Sequence, residues 1–76
     1  MNNDRRKILQ SISDIIENAK LAIESQRDDE QESFDNLPEG LQMADKGSAM
    51  EEAISNMESA MDSIDEAITY LEEAEE

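Results

Sequence analysis

Residues 50–76 read MEEAISNMESAMDSIDEAITYLEEAEE, and written in sevens they place Met50, Met57, Ile64 and Leu71 in one column. Ala53, Ala60, Ala67 and Ala74 fill a second column, and Ile54, Met61 and Ile68 a third. An apolar repeat of seven residues is the pattern of an α-helix that packs along its length against another helix. It specifies a partner surface and no chemistry. The alanine column, lying beside the seam, predicts a close approach between this helix and its neighbour.

Working outward, Ser48 and Glu51 have the serine-x-x-glutamate spacing of a capping box, which predicts a long helix over about 48–75. Before it, Phe34, Leu37, Leu41 and Met43 lie among turn formers: Asp35, Asn36, Pro38, Gly40 and Gly47. Proline lacks the amide hydrogen and disfavours the α conformation in the residue before it, so a first helix has to stop before Leu37. Pro38 suits the first position of a short helical turn over about 38–44, with Asp35 or Asn36 near its cap. The four apolar residues of the connector are expected to plug the closed end of a helical hairpin.

The first helix is expected over about 4–33, capped by Asn3 or Asp4. Its apolar residues recur at Ile8, Ile12, Ile15, Ala19 and Ala22, with Leu9, Ile16 and Ile23 one position further round. That stripe is wider than a two-stranded seam needs. Beyond Ile23 the stripe positions turn polar (Gln26, Asp29, Ser33), and RDDEQES reads as a solvated face. At roughly 1.5 Å per residue each helix is about 40 Å long. The expected fold is therefore all-α, a single domain over residues 1–76 built as an antiparallel hairpin. Two such hairpins dimerising into a four-helix bundle would cover the surplus stripe, and a monomer closed by the short connector helix is the alternative.

Twenty-one acids against six bases give a net charge of −15, which repels nucleic acid, anionic membrane and like-charged copies of the chain. Residues 1–27 hold four acids and five bases, a net of +1; residues 28–76 hold seventeen acids and one base, Lys46, a net of −16. Arg5, Arg6 and Lys7 open one helix and Glu72, Glu73, Glu75 and Glu76 close the other, each against its own macrodipole. An antiparallel pair sets these clusters side by side. No cysteine and no histidine occur, which removes disulfides, thiolate metal sites and the usual general base. The calcium-loop pattern and a glycine-rich phosphate loop are both missing from the sequence, and no serine has a histidine to activate it. The chain reads as a non-enzyme with no cofactor, metal or small-molecule substrate. ILQSISDII, behind the N-terminal bases, is interrupted by polar residues where a signal peptide has a long apolar core, and no segment is apolar enough to span a bilayer. The expected location is the cytoplasm.

The run DDEQESFDNLPEGLQ, residues 28–42, followed by MEEAISNMESAMDSIDEAI, resembles small acidic helical proteins of prophages and other mobile elements of Gram-positive bacteria. FDNLPEGLQ is the specific part of that resemblance. It implies a bacterial or phage cytoplasmic origin and no known activity, so no functional residue is carried over. In size and topology the chain is also similar to secreted WXG-type helical hairpins, but it has no tryptophan and its connector reads NLPEGLQ.

Two functions fit these features. One is a self-associating protein–protein interaction module, a homodimer whose acidic faces or connector contact another protein. The other is an inhibitor that imitates DNA, presenting carboxylates to the basic groove of a nucleic-acid-binding host protein. Glu51, Glu52, Glu58, Asp62, Asp65, Glu66, Glu72 and Glu73 are the candidate partner-facing residues. A solvated helix face that keeps the protein dispersed is the plainest account of the same eight.

Overall fold

The computed structural model describes all 76 residues, and its regular structure is three helices with no strand: α1 (Asn3–Asp35), α2 (Glu39–Gln42) and α3 (Asp45–Glu75). Arg6 meets Glu75, Lys20 meets Asp65 and Arg27 meets Glu58, so α1 and α3 run antiparallel. The hairpin is a rod of 58 × 15 × 11 Å. This is the all-α hairpin with a short helical turn in its connector that the heptads and the proline imply.

The helix ends differ from the sequence reading. α1 is capped by Asn2, one residue before Asn3 or Asp4, through its side-chain oxygen accepting the Arg5 amide at 2.8 Å. It runs on to Asp35, beyond residue 33, and Gln31 bonds Asp35 one turn later at 2.9 Å. Pro38 is the N-cap of α2 and not its first residue; with ψ at 146° its carbonyl accepts the Leu41 and Gln42 amides at 2.8 and 3.1 Å. α2 then ends at Gln42, before Ala44.

The largest boundary correction is at α3. Ser48 does not cap it: the helix starts at Asp45, and the Ser48 amide already donates to the Ala44 carbonyl at 3.0 Å. Ala44, the N-cap, is extended and offers no side-chain cap. The cause is Gly47. It sits buried in the first turn of α3, where a Cβ would overlap the Gln42 carbonyl and lie 2.7 Å from the Gln42 Cα. Glycine is needed here for close backbone approach, not for a turn, and Asp45 suits the positive end of the helix dipole.

The seam on α3 follows the heptads. Ile54 and Met61 are buried, and Met50, Met57, Ile64, Ile68 and Leu71 are partly buried. The alanine column is displaced from it: Ala53 is partly buried, whereas Ala60, Ala67 and Ala74 are exposed, as are Ala19 and Ala22 on α1. These alanines border the seam without lying in it.

On α1 the stripe of Ile8, Ile12, Ile15, Ala19 and Ala22 turns outward, with Ile8 59% and Ile15 66% exposed. The inward row is the one a step further round: Leu9, Ser13, Ile16, Lys20, Ile23, Arg27, Glu30, Phe34 and Leu37, all partly buried. The later residues of each row explain the choice. The inward row sets Lys20 against Asp65 and Arg27 against Glu58, then ends in Phe34 and Leu37. The Ile8 row has no cation after Arg5 to meet the carboxylates of α3. At the closed end Phe34 and Leu37 are partly buried, as the plug requires, while Leu41 is half exposed and Met43 almost wholly so.

Candidate functional site

Each residue turns an α-helix by about 100°, so residues next to a seam position project to one side or the other of the pair. In an antiparallel pair, residues that follow seam positions on both helices share one broad face, and residues that precede them share the opposite face. The ion pairs obey this rule. Arg27 reaches Asp28 on its own helix at 3.0 Å and Glu58 across the seam at 3.6 Å, both residues that follow seam positions.

One face is therefore acidic. From α3 it takes Glu51, Glu58, Asp62, Asp65 and Glu72; from α1 it takes Asp14, Glu17, Glu24, Asp28 and Asp35. All eight candidate carboxylates of α3 are exposed, but they are not one cluster. Glu52, Glu66 and Glu73 lie at the back of α3, where Glu66 accepts the Tyr70 hydroxyl at 3.5 Å. Two of the five on the acidic face are engaged within the hairpin, Asp65 by Lys20 at 2.7 Å and Glu58 by Arg27. The hydrogen bond to Asp65 raises the Lys20 ammonium above its ordinary value of 10.5 against partial desolvation, and the charges of Asp65, Glu17 and Glu24 add to the rise. A reading confined to the α3 carboxylates misses the five α1 acids. They follow Ser13, Ile16, Ile23, Arg27 and Phe34 of the inward row, so they are placed only once that row is known.

The opposite face differs in kind. Ile8, Ile12, Ile15, Ala19 and Ala22 of α1 lie on it beside Ala60, Ser63, Ala67, Tyr70 and Ala74 of α3, and none of the ten is charged. Ile8, Ile12, Ile15 and Tyr70 are all exposed, Tyr70 at 62%. Toward the closed end this face turns polar, with Gln26, Asp29 and Ser33 around a shallow hollow floored by Met57. The hollow is open to solvent and holds no nucleophile paired with a base.

At the open end the expected meeting of charge clusters takes another form. Arg6 donates to the backbone carbonyl of Glu75 at 2.7 Å, and no terminal glutamate carboxylate forms an ion pair. The arginine satisfies one of the orphan carbonyls at the end of α3. No group of three or more acidic side chains is placed to hold a metal ion, and no helix is long and apolar enough to cross a membrane. The chain matches no family model, no curated protein and no solved structure.

Proposed function

We propose that this chain is a non-enzymatic, self-associating interaction module, and that the uncharged face is where it associates. The observation that supports this reading is the mismatch between that face and the core. Only Ile54 and Met61 are buried apolar side chains, and full burial of each contributes about 1.5–3 kcal/mol. Meanwhile three isoleucines and a tyrosine stay exposed on one uncharged side. A chain of 8.6 kDa folded compactly exposes about 4,700 Å². This rod exposes 5462 Å². The surplus follows from the elongated shape, which leaves one side of each helix without a neighbour.

Charge is arranged to permit this. Most of the acids sit away from the uncharged face, with Asp29 the exception toward the closed end, so two copies docking through Ile8, Ile12 and Ile15 keep most of their carboxylates apart. The remaining repulsion between two chains of −15 weakens as the screening length falls from about 10 Å at 0.1 M salt to about 3 Å at 1 M. Sedimentation equilibrium is expected to show a species of twice the 8.6 kDa chain mass whose association strengthens with salt. Ile15→Glu is expected to abolish it while leaving the helical circular dichroism intact. A single 8.6 kDa species at every salt and protein concentration would overturn the proposal.

A second reading draws on the acidic face. Carboxylates from both helices lie along one side of a 58 Å rod, an arrangement that suits a basic groove built for phosphates. The resemblance of FDNLPEGLQ to mobile-element proteins would make the owner of that groove a host protein. Binding to such a partner is expected to fall steeply with salt and to weaken on Asp62→Lys and Glu72→Lys, which leave the Lys20–Asp65 and Arg27–Glu58 pairs intact. A pull-down at low and high salt that returned no nucleic-acid-binding protein would remove this reading.

A further inference from the structure

Resting on the self-association just proposed, we infer that the second copy docks antiparallel, α1 on α1 and α3 on α3, about a two-fold axis passing beside Ile15. Two hairpins stacked through the uncharged face have two symmetric choices. In one, both closed ends point the same way and α1 of each copy covers α3 of the other. In the other, the closed ends point apart and each helix covers its own counterpart.

Side-chain size selects the second. The uncharged row of α1 is large at one end and small at the other: Ile8 and Ile12, then Ile15, then Ala19 and Ala22. Reversed on itself about Ile15, the row sets Ile8 against the second copy's Ala22 and Ile12 against its Ala19. The same axis crosses α3 near Thr69, because Lys20 faces Asp65 and Arg6 faces Glu75. There it sets Tyr70 against Ala67 and Ala74 against Ser63. Bulk meets space at Ile8, Ile12 and Tyr70 with one axis, as interdigitating layers require. The parallel choice sets Ile12 against Tyr70 in both copies, two crowded pairs where the antiparallel choice has one, Ile15 on Ile15.

Charge selects the same arrangement. Arg5 continues the Ile8 row toward the open end and carries no ion pair in the hairpin, while Asp29 continues it toward the closed end and is likewise unpaired. Reversal carries Arg5 to Gln26 and, one turn on, Asp29 of the second copy.

The chain has no cysteine, so single thiols introduced on this exposed face report the arrangement without background. With a short bis-maleimide, Ile15→Cys is expected to link to itself at least ten times faster than Ile8→Cys does. An equimolar mixture of Ile8→Cys and Ala22→Cys is expected to give the mixed dimer. Faster linking in a mixture of Ile15→Cys with Ala67→Cys than in Ile15→Cys alone would establish the parallel arrangement and overturn this one. A dimer by sedimentation with no linking at any of these positions would also overturn it, while leaving self-association standing. A monomer by sedimentation would remove both.

Discussion

At the closed end of the hairpin Gln42 donates to the Phe34 and Leu37 carbonyls, each at 3.1 Å, and Gly47 lets the first turn of α3 rest on the Gln42 backbone. At the open end the one polar tie between the helices is the exposed bond from Arg6 to the Glu75 carbonyl. The closed end is fixed by backbone approach and by two partly buried hydrogen bonds between neutral groups, which salt does not screen. The open end relies on a flexible arginine, and it is also where Ile8, Ile12, Ile15 and Tyr70 stand uncovered. The hairpin's geometry is thus set at one end and its unfilled surface presented at the other.

The sharpest way to break this contrast is Gly47→Ala. Alanine favours a helix over glycine by about 1 kcal/mol, but here its Cβ would fall on backbone that cannot move aside. The overlap should dominate, and a loss of about 2 kcal/mol or more is expected in urea unfolding at fixed protein concentration. Gln42→Ala should follow with about 1–2 kcal/mol, the net contribution of two partly buried hydrogen bonds. Gly40→Ala supplies the control, because a Cβ there meets nothing within 4 Å; it should stabilise by about 0.5–1 kcal/mol. If both glycine variants shifted the urea midpoint in the same direction, the account of Gly47 would be wrong. At the open end Arg6→Gln should move stability by no more than about 0.5 kcal/mol, since the bond is exposed and the lost cation had opposed the helix dipole.

The smallest expected effect lies between the two ends. The Lys20 ammonium is held above its ordinary value by Asp65. Its contribution is therefore present in full below pH 10.5 and is lost as pH rises through the higher folded-state value. Alkaline titration of the folded fraction should show this loss, and Lys20→Met should lack that component.

The same contrast separates what can be read from the residues and what cannot. The α3 seam is legible because a seven-residue repeat in a single helix has one apolar side to place, and Ile54 and Met61 are where the columns put them. On α1 two neighbouring rows are both apolar near the N-terminus, and periodicity does not choose between them. The choice depends on Lys20, Arg27, Phe34 and Leu37, whose bearing is visible only once the partner helix is set beside them. Ser48 and Glu51 have capping-box spacing, yet Gly47 lets the helix begin a turn earlier, because sequence does not distinguish a glycine that turns from one that permits contact. The acids of α3 are legible as exposed. That α1 contributes Asp14, Glu17, Glu24, Asp28 and Asp35 to the same side requires the relative orientation of the two helices.

Tyr70 stands on the uncharged face, and it is the one tyrosine of a chain without tryptophan. The near-ultraviolet absorption and fluorescence of the folded protein therefore come almost entirely from a ring at the place where a second copy would sit. Docking that moved this ring from water to a neighbouring alanine would alter its emission directly. The molecule carries its own optical gauge of assembly, read without label or mutation.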